Sequence, residues 1–150
     1  MKKVIYLLLI SISLFILVGC NSKSNNNINN TEINSSKEVI NTVKVIINDK
    51  EYTIDLEDNE TAKAFVELLP LKIDMKELNG NEKYYYLNKS LPSDSSNIKK
   101  ITAGDVMLYG DDCLVIFYKS FNTSYSYTKI GHINNLKDLG NNNVSVEIYK

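Results

Sequence analysis

The chain of 150 residues contains no arginine and no tryptophan, and it has one histidine, two cysteines and two prolines. All 17 basic residues are lysine. The planar guanidinium fork that grips carboxylate or phosphate through two parallel hydrogen bonds is therefore missing. A single histidine, His132, excludes zinc sites built on several histidines. The formal charge is −1. With Lys2 and Lys3 set aside, 15 lysines face 18 acids, a net −3. A mildly acidic surface gives no electrostatic reason to expect nucleic acid. The chain also lacks a Gly-rich phosphate loop, a Gly-x-Ser-x-Gly elbow and a dinucleotide fingerprint, so no cofactor is expected. Asp105, Asp111 and Asp112 do not have the alternating acids and terminal glutamate of a calcium loop. Turn chemistry accounts for them, and no metal is expected.

What is present begins with a positive start, Met1-Lys2-Lys3, and an apolar run over residues 4–18 broken only by Ser11 and Ser13. At about 15 residues the run is short for a membrane span, which needs roughly 20. It has the form of a secretory signal peptide over residues 1–19. Its end, Leu17-Val18-Gly19-Cys20, resembles the lipobox of bacterial lipoproteins. That resemblance implies cleavage before Cys20 and acylation of its thiol, which would anchor the mature chain to the extracytoplasmic face of the cell membrane. The alternative is an uncleaved signal anchor with a buried thiol. With Cys20 lipidated, only Cys113 remains and a disulfide within the domain is impossible. Cys113 opens the most apolar strand, so a packed thiol is expected there. Residues 20–38 are dominated by asparagine and serine with isolated hydrophobic residues. Such a composition buries too little surface to offset the entropy of ordering and predicts a flexible tether.

The domain, residues 39–150, reads as short strands. Val43, Val45 and Ile47 alternate with polar residues, Asn48-Asp49 suits a tight hairpin, and Tyr52, Ile54 and Leu56 return on one face. One helix follows, capped by Asp58 or Asn59 and ended by Pro70, with Phe65, Leu68 and Leu69 as its apolar stripe. Leu71, Ile73 and Met75 alternate again, Asn79-Gly80 turns, and residues 82–87 form a tyrosine-rich strand. The strands over 105–109 and 113–118 flank Gly110-Asp111-Asp112. A further strand covers 125–133, one helical turn is expected within 135–140, and a closing strand runs over 144–149. Residues 103–133 carry the strongest of these signals. Many short strands with few helices indicate a sandwich or barrel.

The order of short motifs is distinctive. Thr61-Ala62 and Leu69-Pro70 bracket the helix, followed by Gly80-Asn81-Glu82-Lys83-Tyr84. Gly104-Asp105 opens a strand, Phe117-Tyr118 closes one, and Tyr125-Ser126-Tyr127-Thr128-Lys129-Ile130-Gly131 comes next. This order resembles the bacterial cyclophilin-like domain family, whose members are largely uncharacterised. The resemblance implies a mainly β fold, a closed barrel of about eight strands with one or two short helices, one of them covering an open end. It does not carry activity. Cyclophilins that isomerise peptidyl-proline bonds use an arginine, with phenylalanine, glutamine and histidine, in a groove. This chain has no arginine, and no counterpart of the phenylalanine-histidine-arginine or glutamine-glycine-glycine-aspartate segments.

Partly through that resemblance, the ligand-facing candidates are Glu82, Tyr84, Phe117, Tyr127 and His132. Tyrosine offers an apolar body and a polar tip suited to clefts, and it also suits strands generally. Glu82 is either the family's recurring acid or a structural carboxylate, bonded to turn N–H groups or paired with Lys83 or Lys129. His132 is placed on the face of Thr128 and Ile130, as a polar contact in a cleft or as a strand histidine at the barrel rim. The expected function is a membrane-anchored lipoprotein whose noncatalytic domain binds a peptide, protein or small molecule. The alternatives are a divergent proline isomerase and a protein that meets its partner through the barrel exterior.

Overall fold

A computed structural model describes residues 40–150. The expected signal peptide, the expected lipidation at Cys20 and the expected tether lie outside the described residues. Strands β1 (Thr42–Ile47) and β2 (Lys50–Leu56) form the first hairpin, with Ile47 opposite Lys50. Asn48 and Asp49 both take positive φ, 45° and 65°, as a two-residue hairpin turn matched to strand twist requires. Helix α1 spans Glu60–Val66. Then come β3 (Leu71–Leu78), β4 (Glu82–Tyr86), β5 (Ser96–Asn97), β6 (Lys100–Ile101), β7 (Asp105–Tyr109), β8 (Cys113–Phe117), β9 (Phe121–Asn122), β10 (Ser126–Ile133) and β11 (Val144–Tyr149).

Eight of these strands close on themselves in the order β2-β1-β11-β3-β4-β8-β7-β10, with β10 pairing back to β2, every neighbour antiparallel. Closure leaves no free edge among the eight. β5 adds to β10 at Tyr127, and β6 pairs with β9 as a separate two-stranded ribbon. Alternation fills the interior with Val43, Val45, Ile54, Ile73, Met75, Val106, Leu108, Leu114, Ile116 and Val146.

Asn59 caps α1: its Oδ1 accepts from the Ala62 N–H at 2.8 Å, while its Nδ2 donates to the Lys129 carbonyl at 2.8 Å. One side chain thus starts the helix and ties it to β10. The helix ends at Val66, earlier than the sequence suggested, so Leu68 and Leu69 are not part of its stripe. Its buried residues are Thr61, Ala62, Phe65 and Val66, and the last three join the interior cluster and close a mouth of the barrel. The expected helical turn within 135–140 is absent. The chain turns there with Asn135 at positive φ, 58°, and forms no helix.

β10 holds a second correction. Lys129 faces Met107 and Gly131 faces Val106, so Ile130 is the extra residue of a bulge. Ile130 is buried in the interior, and His132 comes to lie opposite Asp105. The bulge breaks the two-residue period, so His132 does not share a face with Ile130.

Candidate functional site

β4 turns Lys83 and Tyr85 one way and Glu82, Tyr84 and Tyr86 the other. Across the ladder Glu82 faces Phe117, Tyr84 faces Val115 and Tyr86 faces Cys113. Val115 faces Met107 and Cys113 faces Tyr109 on β7. These side chains form a second apolar cluster on the outer wall of the barrel: Ile101, Met107, Cys113, Val115, Phe117 and Tyr127, with Tyr84, Ile98 and Phe121 against it. The β6–β9 ribbon covers part of that wall. The uncovered part is a cleft of about 280 Å³ lined by Leu78, Asn79, Glu82, Tyr84, Tyr86, Tyr109, Cys113, Val115, Tyr125 and Tyr127. A hollow of about 200 Å³ adjoins it, sharing Asn79, Glu82, Tyr125 and Tyr127 and adding Asn81 and Thr123.

The rings meet edge to face. Tyr84 and Tyr86 are 5.8 Å apart at 79°, Tyr109 and Tyr125 6.1 Å at 89°, and Phe117 meets Tyr127 at 5.4 Å and 89°. Perpendicular packing suits the ring quadrupoles.

Glu82 is the charged group of this cleft. It is 8% exposed, and among the described residues its carboxylate has no hydrogen-bond partner. Burial, then the nearby Glu77 charge, pushes its carboxyl up to about 7. Burial, with Glu82 next in effect, pushes the Tyr127 phenol up to about 12. Burial, then Asp112, pushes the Cys113 thiol up to about 11. Both stay protonated at neutral pH, so Cys113 is a packed wall of the cleft and not a thiolate nucleophile.

The structural role offered for Glu82 belongs to Glu77. The Glu77 Oε1 accepts from the Gly80 N–H at 2.6 Å, and its Oε2 pairs with Lys83 and accepts from the Tyr118 hydroxyl at 3.0 Å. Burial alone would raise the Glu77 carboxyl; the bonds from Lys83, Tyr118 and Gly80 hold it below the usual range. Lys129 pairs instead with Glu57 at 3.2 Å.

Of the five candidates, Glu82, Tyr84 and Tyr127 line the cleft, and Phe117 is buried beneath it against Tyr127. His132 does not line it. Its Nδ1 lies 3.0 Å from the Asp105 Oδ1, whose other oxygen accepts from the Thr102 N–H at 2.8 Å. Gly104 packs against the imidazole: a Cβ there would come within 2.9 Å of the His132 Cε1 and collide with the Ile133 carbonyl. His132 is therefore a partnered rim histidine. The remaining lining residues, Leu78, Asn79, Tyr86, Tyr109, Cys113, Val115 and Tyr125, are not among the candidates read from the sequence. The available signal was positional, since Tyr109 precedes the Gly110 turn and falls opposite Cys113. A hollow of about 460 Å³ beside α1, bordered by Ile40 and Lys63, is larger. The Lys63 ammonium there is already paired with Asp58 at 3.0 Å and Glu60 at 3.2 Å. Among the described residues no group of three or more His, Cys, Asp or Glu is placed to hold a metal ion.

Residues 45–149 match the family model described as the cyclophilin-like family. The chain belongs to that family. No curated protein matches the sequence. Among solved structures, the cyclophilin-like chain is similar to a hypothetical protein from Archaeoglobus fulgidus determined in solution. The two share 20% identity over 77% of this chain and 98% of that one, with a TM-score of 0.57. At that identity the likeness shows the fold alone.

Proposed function

We propose that the protein is a cell-envelope lipoprotein, anchored through acylated Cys20, whose cyclophilin-like domain binds a ligand in the outer-wall cleft without catalysing its conversion. One observation supports the binding reading above the others. The four large hydrophobic residues that stand exposed among the described residues are Leu78, Tyr86, Tyr109 and Tyr125, and all four line this cleft. Scattered exposed apolar groups are ordinary, but their convergence on one concavity with a single buried acid is the pattern of a binding site. Isomerase chemistry has less to work with. No lysine lines the cleft and the chain has no arginine, so nothing there supplies a cationic donor to a prolyl amide.

The binding reading is tested by NMR titration of the full chain in neutral-detergent micelles with 2-phenylethanol and with a proline-containing peptide. Shifts centred on Tyr84, Cys113 and Tyr127 with either probe support the cleft. Cis–trans exchange peaks on the peptide would replace the noncatalytic reading with an isomerase. An unperturbed spectrum with both probes would remove the cleft as a binding site. The anchor is tested separately. A Cys20→Ala variant should leave the membrane fraction's acyl-labelled pool entirely, and a variant that still takes up radiolabelled palmitate would overturn lipidation at Cys20.

A further inference from the structure

The buried polar and charged side chains of the barrel are Thr61, Glu82, Lys83, Asp105 and Thr128. Four of them are bonded. The Thr61 hydroxyl donates to the Pro92 carbonyl at 2.6 Å, and the Thr128 Oγ1 accepts from the Asp94 N–H at 3.0 Å. Lys83 donates to the Gly140 carbonyl at 2.6 Å and the Asn142 carbonyl at 2.8 Å, and Asp105 accepts from the Thr102 N–H. Glu82 alone of the five has no side-chain partner among the described residues, and it opens onto the cleft. Asn81 lines the adjoining hollow, and among the described residues its Oδ1 is buried and unpaired. Buried polar atoms in native proteins are bonded in the great majority of cases, so the Asn81 Oδ1 marks a place where a partner is missing, and the unpaired Glu82 carboxylate beside it is open to one from the cleft. Both are acceptors.

We infer that the cleft takes a small organic cation, an ammonium group on an apolar stem, whose N–H groups donate to Glu82 while its stem packs among the tyrosine rings. This rests on the binding reading above and names its ligand class. An anion is excluded by Glu82 and by the absence of any lysine from the lining. A neutral apolar ligand would leave the carboxylate buried without a partner, which is costly. An ammonium satisfies it through a charge-assisted bond, and the faces of Tyr84, Tyr109 and Tyr127 add attraction through their quadrupoles. The cleft's volume of about 280 Å³ suits a small amine or one extended side chain. The carboxyl held at about 7 by burial is half ionised in neutral solution, and a bound cation draws it fully to the charged form.

Calorimetry at pH 8 with the full chain in neutral-detergent micelles decides the matter through three ligands of one shape: phenethylammonium, 2-phenylethanol and 3-phenylpropionate. The ammonium should bind about tenfold or more tightly than the alcohol, and the carboxylate should not bind. In a Glu82→Gln variant the ammonium should fall to the affinity of the alcohol, while the alcohol stays within about twofold of its original value. Equal binding of ammonium and alcohol by the unaltered protein would overturn the cationic class and leave the cleft standing. Failure of all three to bind would overturn the class and the binding reading together. A lysine-containing tripeptide serves as a further arm: tighter binding than phenethylammonium assigns the ammonium to a peptide side chain, and weaker binding assigns it to a free amine.

Discussion

Lys83→Met should lower the stability of the domain by about 4 kcal/mol, the largest single-residue effect expected here. Lys83 is fully buried on the inward side of β4, a position where a lysine is rare unless its charge is met. It is met from several directions. The ammonium pairs with Glu77, donates to the Gly140 and Asn142 carbonyls, and sits 4.6 Å from the centre of the Tyr118 ring. Glu77 is held in turn by Tyr118 and by the Gly80 N–H of the β3–β4 turn. The lysine therefore joins the β3–β4 hairpin to the segment entering β11. Methionine fills the volume but leaves a part-buried carboxylate and two carbonyls short of a donor, and removing the buried partner of such a pair typically costs about 3–5 kcal/mol. Urea unfolding at pH 7 measures it. Adding Glu77→Gln to Lys83→Met should recover roughly half the loss, because the stranded charge goes with it. A loss under about 1 kcal/mol would mean that water replaces the ammonium. The acid limb changes too. The Glu77 carboxyl is held below its ordinary 4.5, so its contribution is present above 4.5 and fades as pH falls through the lower folded value. Without Lys83 that limb should begin at higher pH.

Local chemistry made the barrel legible. Asn48-Asp49, Asn79-Gly80 and Gly110 take the positive φ that their turns need, and the two-residue alternation of Val43-Val45-Ile47 and Leu71-Ile73-Met75 is the alternation of burial seen in β1 and β3. What stayed hidden is nonlocal. The partners of Lys83 on the 140–142 segment are nearly 60 residues away in sequence, so nothing near Lys83 reveals that its charge is met. The Asp105–His132 pair spans 27 residues and depends on the bulge at Ile130, which no period reveals because an extra residue is defined by the opposite strand. The cleft was half legible for a similar reason. Alternation separates Tyr84 and Tyr86 from Tyr85, but β8 is buried along its whole length because the β6–β9 ribbon together with Tyr84 and Tyr127 packs on its outer face. With both faces apolar, hydrophobicity alone does not tell inside from outside. The acid at the end of β3, Glu77, and the acid in the cleft, Glu82, differ by only five positions, and which one takes the bonds is decided by which face carries Lys83.

Glu82→Gln should stabilise the unliganded domain at pH 8 and do almost nothing at pH 4.5. The Glu82 carboxyl is raised from 4.5 to about 7 by burial first and by Glu77 second. An acid with a raised folded pKa binds protons more tightly in the native state, so stability is greatest below 4.5, falls as pH climbs from 4.5 to 7, and is level above 7. Lys83, the adjacent cation, faces the other side of β4 and is taken up by Glu77, and Glu77, Cys113 and the cleft phenols carry no positive charge that would offset it. Allowing for solvent at the mouth of the cleft, the penalty at pH 8 is on the order of 2 kcal/mol. Glutamine keeps the shape and removes the charge, so melting at pH 8 should rise by about 8 °C, with a gain near zero at pH 4.5. A gain of equal size at both pH values would trace the effect to packing. No gain at pH 8 would mean that the carboxylate is solvated after all. The same charge that weakens the empty barrel is what a cation would neutralise. Saturating phenethylammonium should therefore raise the melting temperature of the unaltered protein at pH 8 and narrow the gap to the glutamine variant, because a ligand stabilises only the state it binds. A buried acid with no partner is destabilising for a domain at rest, and stability alone would replace it with glutamine. Its presence beneath five tyrosines is the mark of a site arranged for an occupant.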